Sequence, residues 1–386
     1  MRVTHVITRL IVGGAQENTV ASVLGLRTKP GLQVDLISGL THGPEGSLER
    51  QFAEQPGALR IVPELVRPIR PWKDLHALRS LQEIFASEKP DIVHTHSGKA
   101  GVVGRLAAAR ARVPIIIHTI HGPSFGPFQR PLANRLFRFA ERRAGKVTTH
   151  FVTVANAMKS QYLAAGIGKP EQFTCIFSGF NLKPFLAATN DLALRMRLGI
   201  LPQDIVVGKI ARLVPLKGHA DLIALAPKLV EKCPRIKFLF VGDGQYRDRF
   251  ADQVRALGLA NHFVFAGLVR PESVAPLVGL MDFVVHLSLR EGLARALPQA
   301  LATGRPIVAY DCDGAAEVCL DNKTGFLVKP GDLETLRDRM LQLARDAALR
   351  ARLGECGRQL VRERFAVERM VDDLHVLYQR LACDQR

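Results

Sequence analysis

Short runs of β-branched and apolar residues alternate with helix-patterned stretches along nearly the whole chain, and that rhythm leaves few folds open. In the first half the runs are RVTHVIT, QVDLIS, DIVHTH, VPIIIHTI and THFVTVA. Between them AQENTVASVLGL, DLHALRSLQEIFAS, KAGVVGRLAAARA and LANRLFRFAERRAG carry apolar residues at helical spacing. After SGFNLKPF the rhythm restarts with DIVVGKIA, the helix HADLIALAPKLVEKC and IKFLFVGDG. A helix over Tyr246–Leu257, FVFAG, a helix over Pro271–Leu280, DFVVHLS, a further helix and PIVAYDC follow. Continuous apolar strands separated by helices require parallel sheets covered on both faces. The predicted class is therefore α/β, with two Rossmann-like domains in tandem and a break near residue 183. The first domain takes residues 1–183 and the second 184–368. The tail from Asp332 reads as helical, and a last helix at about 369–386 is expected to pack back on the first domain.

A chain of 386 residues exceeds what one core usually organises, and a hydrophobic fraction of 47% is ample for two. No stretch approaches the ~20 uninterrupted apolar residues of a membrane span. The start, MRVTHVITRLIVGG, is broken by Thr4, His5, Thr8 and Arg9, so it reads as a first strand and turn rather than a secretory segment. A cytoplasmic protein is expected. Its six cysteines contain no C-x-x-C pair, which argues against a disulfide framework or a zinc site. The net charge of +17 favours an anionic partner. With aromatics at 6% and a single Trp, stacking platforms for nucleic acid are sparse, which leaves phosphorylated small molecules or an acidic membrane surface.

In open α/β sheets ligands bind beyond the carboxyl ends of the strands, so residues just after strands are the candidates. Gly13 and Gly14 free backbone N–H groups at a helix start, where a phosphate is attracted, or else form a plain tight turn. They are not G-x-G-x-x-G, and a nicotinamide cofactor is not expected. His94 and His96 alternate on one strand and His118 and His121 end the next, a start for a metal site that lacks a carboxylate at ligand spacing. Asp311 and Asp313 of DCD could hold Mg²⁺, but their loop setting favours turn chemistry. Arg212 and Lys217 flank a turn directly before a helix; two cations and a helix N-terminus suit a diphosphate without a metal, unless both are merely solvated. Glu291 falls in a loop after DFVVHLS, with Gly292 allowing close approach of a ligand. The next helix must start close to Pro298, which places Gln299 in its first turn.

Taken in order, GGAQ, HTHSGKAGVVGRLAA, HTIHG, ARLVPLKG, FVGDG, FAG, EGLARALPQALATGRPIVAYDCDGAAE and TGFLVKPGD resemble the retaining glycosyltransferases of family 4, glycosyl transferases group 1, which have the GT-B fold. The resemblance covers nearly the whole chain. It implies two domains facing a cleft, a UDP- or GDP-linked sugar bound there, and transfer to a glycan or lipid-linked acceptor with the anomeric configuration kept. It also implies a role in polysaccharide or lipopolysaccharide biosynthesis, with no metal and no cofactor beyond the sugar nucleotide. By the same resemblance Gly13, Gly14, Arg212 and Lys217 hold the diphosphate, and His121 orients the donor sugar. Glu291, the first acid of the family's Glu-x7-Glu motif, binds sugar hydroxyls. Gly242, Gly267, Gly292, Leu293, Gln299 and Glu317 complete the nucleotide and sugar side. Gln299 departs from the motif: an amide stands where the second acid accepts from the ribose, which implies weaker donor binding. Ser178 and Asn181 of SGFNL are a lesser departure.

The stretch RPLANRLFRFAERRAGK puts Leu132, Leu136, Phe139 and Ala140 on one helical face and Arg135, Arg138 and Arg142 on another. Coverage of the sheet calls for such a helix, so its apolar face is expected to pack inward. A helix lying on anionic lipid, peripheral on the inner face of the membrane, is the alternative. Two other activities stay in view: a nucleotide-sugar 2-epimerase of the same architecture, and a metal-dependent hydrolase built on His94, His96, His118 and His121.

Overall fold

The computed structural model describes residues 1–43 and 46–385; Arg386, the last residue of the expected C-terminal helix, lies outside the described residues. The chain divides into two compact units, Met1–Phe180 with Val367–Arg386, and Asn181–Ala366. Among the described residues the first is built on seven strands: β1 (Arg2–Ile7), β2 (Gln33–Ser38), β3 (Leu59–Ile61), β4 (Ile92–His96), β5 (Ile115–Ile120), β6 (His150–Thr153) and β7 (Phe173–Cys175). They pair in parallel in the order β3-β2-β1-β4-β5-β6-β7. The order reverses between β1 and β4, which makes that edge the topological switch point. β3 and β7 are three-residue strands at the two ends of the sheet.

Strand alternation sends successive side chains to opposite faces, and each face has its own core. Val3, Leu36, Ile117 and Val152 meet α1 (Gly14–Arg27) on one face. On the other, Val6, Ile37, Val93 and Ile116 meet α2 (Pro71–Glu88) and α3 (Gly98–Arg110). The remaining helices between strands are α4 (Pro131–Gly145) and α5 (Asn156–Ala164).

α4 overturns the expectation that its apolar face packs inward. Leu132, Leu136 and Phe139 are 80%, 54% and 68% exposed, and the buried residues are Glu141, Ala144 and Gly145. The reason is a buried ion pair: Arg105 of α3 holds Glu141 at 2.6 Å, both side chains almost wholly out of solvent. Ser124 also donates to Glu141, at 3.2 Å. A buried charge must stay paired, so this contact fixes which side of α4 turns inward.

The second unit opens with short helices α6 (Lys183–Leu186) and α7 (Leu192–Arg197). Then come β8 (Ile205–Ile210), α8 (His219–Lys232), β9 (Ile236–Val241), α9 (Arg247–Ala256), β10 (Phe263–Gly267) and α10 (Pro271–Gly279). β11 (Phe283–His286), α11 (Ala296–Ala302), β12 (Ile307–Tyr310) and β13 (Gly325–Val328) complete a parallel sheet ordered β10-β9-β8-β11-β12-β13. Its switch point lies between β8 and β11. Phe238, Phe240, Phe283, Val285 and Phe326 fill the core on one face. Of the helical tail, α12 (Leu333–Arg345) and α13 (Ala347–Arg364) stay with this unit, with Leu336, Met340 and Leu353 in its core. Only α14 (Val367–Cys383) returns to the first unit, burying Met370, Val371, Leu374, Leu377, Tyr378 and Leu381 at helical spacing.

Candidate functional site

In the second unit the loops after β8 and β11 are drawn together at the switch point. The β8–α8 turn carries two departures from ordinary backbone, one on each side of Lys217: Leu216 at φ 68° and Gly218 at φ 67°. A side chain at Gly218 would sit 2.2 Å from the Leu287 carbonyl, so only glycine lets this turn close on the end of β11. Lys217, between them, is thereby delivered to the β11 loop. Its ammonium donates to Ser288 Oγ at 3.2 Å and to the Arg290 carbonyl at 3.4 Å, and pairs with the Glu291 carboxylate. His286 Nε2 lies 3.5 Å from the same carboxylate oxygen.

Burial alone would raise the Glu291 carboxyl, but His286, 3.5 Å away, and the Lys217 charge outweigh it and hold the group at about 2. Burial lowers His286, with Glu291 opposing. Lys209, buried on β8, is pushed down to about 7 by burial and then by Lys217, while Asp221 and Glu291 pull the other way. The result is an ionised carboxylate wedged against one charged lysine, with a second, titratable lysine behind it.

The Glu291 loop is braced from the far side. Asp313 accepts from the Glu291 N–H at 2.6 Å, and Gly314 N–H donates to the Gly292 carbonyl at 3.2 Å. Asp313 and Glu317 bound a 3₁₀ turn, so the DCD stretch works here as loop support. α11 begins at Ala296, two residues before Pro298, and Gln299 falls in its first turn, half-buried. Leu293 is buried beneath the same loop. Arg212 is exposed in the β8–α8 loop. Gly242 and Gly267 bridge the ends of β9 and β10, Gly242 N–H donating to Gly267 at 2.9 Å. A side chain at Gly242 would meet the Ala211 carbonyl at 2.2 Å, which ties β9 to the loop that holds Arg212.

In the first unit Gly13 caps α1 in an extended conformation and Gly14 opens the helix, leaving first-turn N–H groups without intrahelical partners. His121 follows β5, half-buried, and Nε2 lies 3.1 Å from His96 Nδ1. Burial holds its ring down at about 4.

The four histidines weighed as a metal site do not come together. His94, His96 and His121 share one face of the sheet, but His118 points to the other, 2.9 Å from Thr95 Oγ1 and against Gly101 of α3. One position out of register on a strand is the opposite face. His5 of β1 takes the fourth place, and its ring nitrogen lies within 4.8 Å of those of His94 and His96. The rings are layered: His94 on His96 at 4.5 Å and 23°, His5 on His96 at 5.1 Å and 13°. In this arrangement their nitrogens bond one another and Tyr378 of α14. The hydrolase reading loses His118 from the set of four on which it was built.

His5, His286, Lys209 and Tyr378 escaped the sequence reading. A polar residue inside an otherwise apolar strand was the available signal for the first three; nothing local marks Tyr378.

Residues 192–360 match the family model for glycosyl transferases group 1, and residues 13–176 match that for the glycosyl transferase 4-like domain. Together the two models take in most of the chain. The sequence is 28% identical over 322 residues to the UDP-Gal:alpha-D-GlcNAc-diphosphoundecaprenol alpha-1,3-galactosyltransferase of Escherichia coli, a match covering 82% of each chain. It is 24% identical over 330 residues to the capsular polysaccharide biosynthesis glycosyltransferase CapM of Staphylococcus aureus, covering 82% of this chain and 84% of that one. In fold it is similar to HepE of Anabaena in complex with UDP and glucose, with a TM-score of 0.81 at 22% identity, covering 98% of this chain and 100% of that one.

Proposed function

The chain belongs to the group 1 glycosyl transferases, enzymes that use nucleotide-sugar donors, and from that premise we propose a retaining, metal-independent transfer from a UDP-linked sugar to a lipid-linked glycan. The observation that carries this reading is the meeting of Lys217 and Glu291 beyond the carboxyl ends of β8 and β11. In the reaction the bond from the anomeric carbon to the diphosphate oxygen breaks and its electron pair stays on that oxygen. Lys217 and Arg212, with the N-terminus of α8 beside them, take up that charge without a divalent ion. Glu291, ionised, accepts from hydroxyls of the sugar, and His121 orients it. Gly242, Gly267, Gly292 and Leu293 shape the nucleotide and sugar pocket, with Gln299 on the ribose and Glu317 beside the Glu291 loop. The acceptor hydroxyl bonds the anomeric carbon and yields its proton to the departing phosphate.

UDP is favoured because the Escherichia coli relative is named for UDP-Gal and HepE was solved with UDP. A lipid-linked acceptor is favoured by the diphosphoundecaprenol in that relative's name and by the exposed apolar and arginine faces of α4. A thermal-shift series with UDP-, GDP- and ADP-sugars, with and without excess chelator, tests the donor side, since ligand binding to the native state raises the melting temperature. UDP-sugars should stabilise the wild type and much less the Lys217→Ala variant; stabilisation that vanishes with chelator would overturn the metal-free reading. The anomeric configuration of the product, read by NMR, tests retention.

A further inference from the structure

Behind His121 runs an unbroken line of hydrogen bonds that ends on the buried Thr119. His121 Nε2 lies 3.1 Å from His96 Nδ1, and His96 Nε2 lies 2.9 Å from His5 Nδ1. His5 Nε2 lies 3.2 Å from the Tyr378 hydroxyl, and that hydroxyl is 2.5 Å from His94 Nδ1. His94 Nε2 ends the line on Thr119 Oγ1 at 2.6 Å. His5, His94, His96, Thr119 and Tyr378 are all buried. Three strands and the returning helix α14 each contribute.

We propose that this line is a tautomer lock: His96, His5, Tyr378, His94 and Thr119 are positioning residues that keep the His121 proton on Nε2 and leave Nδ1 a bare acceptor. A neutral imidazole carries one N–H and one lone pair, so each ring passes its orientation to the next. Burial keeps His5, His94 and His96 neutral at ordinary pH. A reversal at any single link would set N–H against N–H, or lone pair against lone pair, away from water, where an unmade bond is costly. Only two coherent patterns remain.

Tyr378 chooses between them. A phenol donates better than it accepts, and its shorter contact is to His94. The hydroxyl therefore donates to His94 Nδ1 and accepts from His5 Nε2–H. His94 then donates through Nε2 to Thr119. In the other direction His5 Nδ1 accepts from His96 Nε2–H, and His96 Nδ1 accepts from His121 Nε2–H. Every ring holds one proton throughout. On the reading that His121 meets the donor sugar, its Nδ1 selects for a hydroxyl that can donate.

The test needs no donor, so it stands apart from that reading. The full chain is labelled with ¹⁵N-histidine, and the His121 imidazole signals are assigned by their absence in His121→Gln. In the wild type the proton should reside on Nε2. In Tyr378→Phe the His5 Nε2–H loses its acceptor, and the cheaper arrangement moves the proton of His5, His96 and His121 to Nδ1. Thr119→Val should do the same from the opposite end, by turning His94 and then the Tyr378 hydroxyl, and it serves if the first variant fails to fold. A flip to Nδ1–H in most of the population supports the lock. A wild-type His121 protonated on Nδ1, or a ring that keeps its Nε2 proton in the folded variants, overturns it.

Discussion

Glu291 illustrates how neighbouring groups can hold one carboxylate ionised against its own burial. It is half-buried, which by itself would favour the acid form, yet Lys217 and His286 keep it ionised. Its ordinary value of 4.5 falls to about 2 in the folded chain. A depressed carboxyl stabilises the fold fully above its unfolded value, and that contribution drains away as the pH falls from about 4.5 towards 2. Glu291→Gln removes this titration, so melting temperatures measured between about pH 6 and pH 3 should fall less steeply in the variant than in the wild type. Gln299 makes the complementary case. An amide acceptor contributes roughly 0.5–1.5 kcal/mol where a charged one contributes about 1.5–3. Gln299→Glu should therefore lower the donor KM by up to about tenfold with kcat little changed. Abolished turnover would instead move this side chain off the ribose. Glu291 and Gln299 were both legible because strand ends and proline positions fix where a loop gives way to a helix. The company that Glu291 keeps was not: Lys217 lies 74 positions away, and the Gly218 turn that brings it there shows only as one glycine among many.

At the level of helices and strands, alternating patterns located most of both sheets. β3 and β7 were passed over because three residues cannot display a period, and edge strands bury too little to look apolar. The α4 helix was misjudged for a different reason. Apolar spacing identifies a face but not what covers it, and the Arg105–Glu141 pair turns that face outward. Leu132, Leu136 and Phe139 project beside Arg135 and Arg138, the combination that rests on anionic lipid. Co-sedimentation with vesicles rich in phosphatidylglycerol should capture the wild type at low salt and release part of it at high salt. A Leu136→Glu/Phe139→Glu variant should stay folded and remain in the supernatant. Equal binding by both proteins would remove α4 from the membrane reading. Trp72, 78% exposed and the lone tryptophan, gives an independent fluorescence reporter in the same unit.

Across the whole molecule, both units repeat one plan: strand order reverses beside the first strand, and in the second unit Lys217 and Glu291 meet at that reversal. That plan was legible, because βα repetition fixes the handedness and order of the connections. The destination of the tail was legible only in part. α12, α13 and α14 are all amphipathic, and nothing in their spacing tells which sheet each one will cover. Ending the chain at Ala366 should leave Val20, Val23, Leu26 and their neighbours uncovered on α1 and the sheet. Such a protein should bind a hydrophobic dye in its native buffer and precipitate on warming, whereas the full chain should do neither below its melting temperature.

The route taken by α14 also bears on how the protein is born. A ribosome finishes residue 180 long before it reaches Val367, so the first half emerges with one flank of its core bare and its histidine row lacking Tyr378. For that interval the apolar side chains that α14 will cover, Val20, Val23 and Leu26 among them, lack their partner. The residues that end the wait are those of α14, Val367–Cys383, which close over that flank.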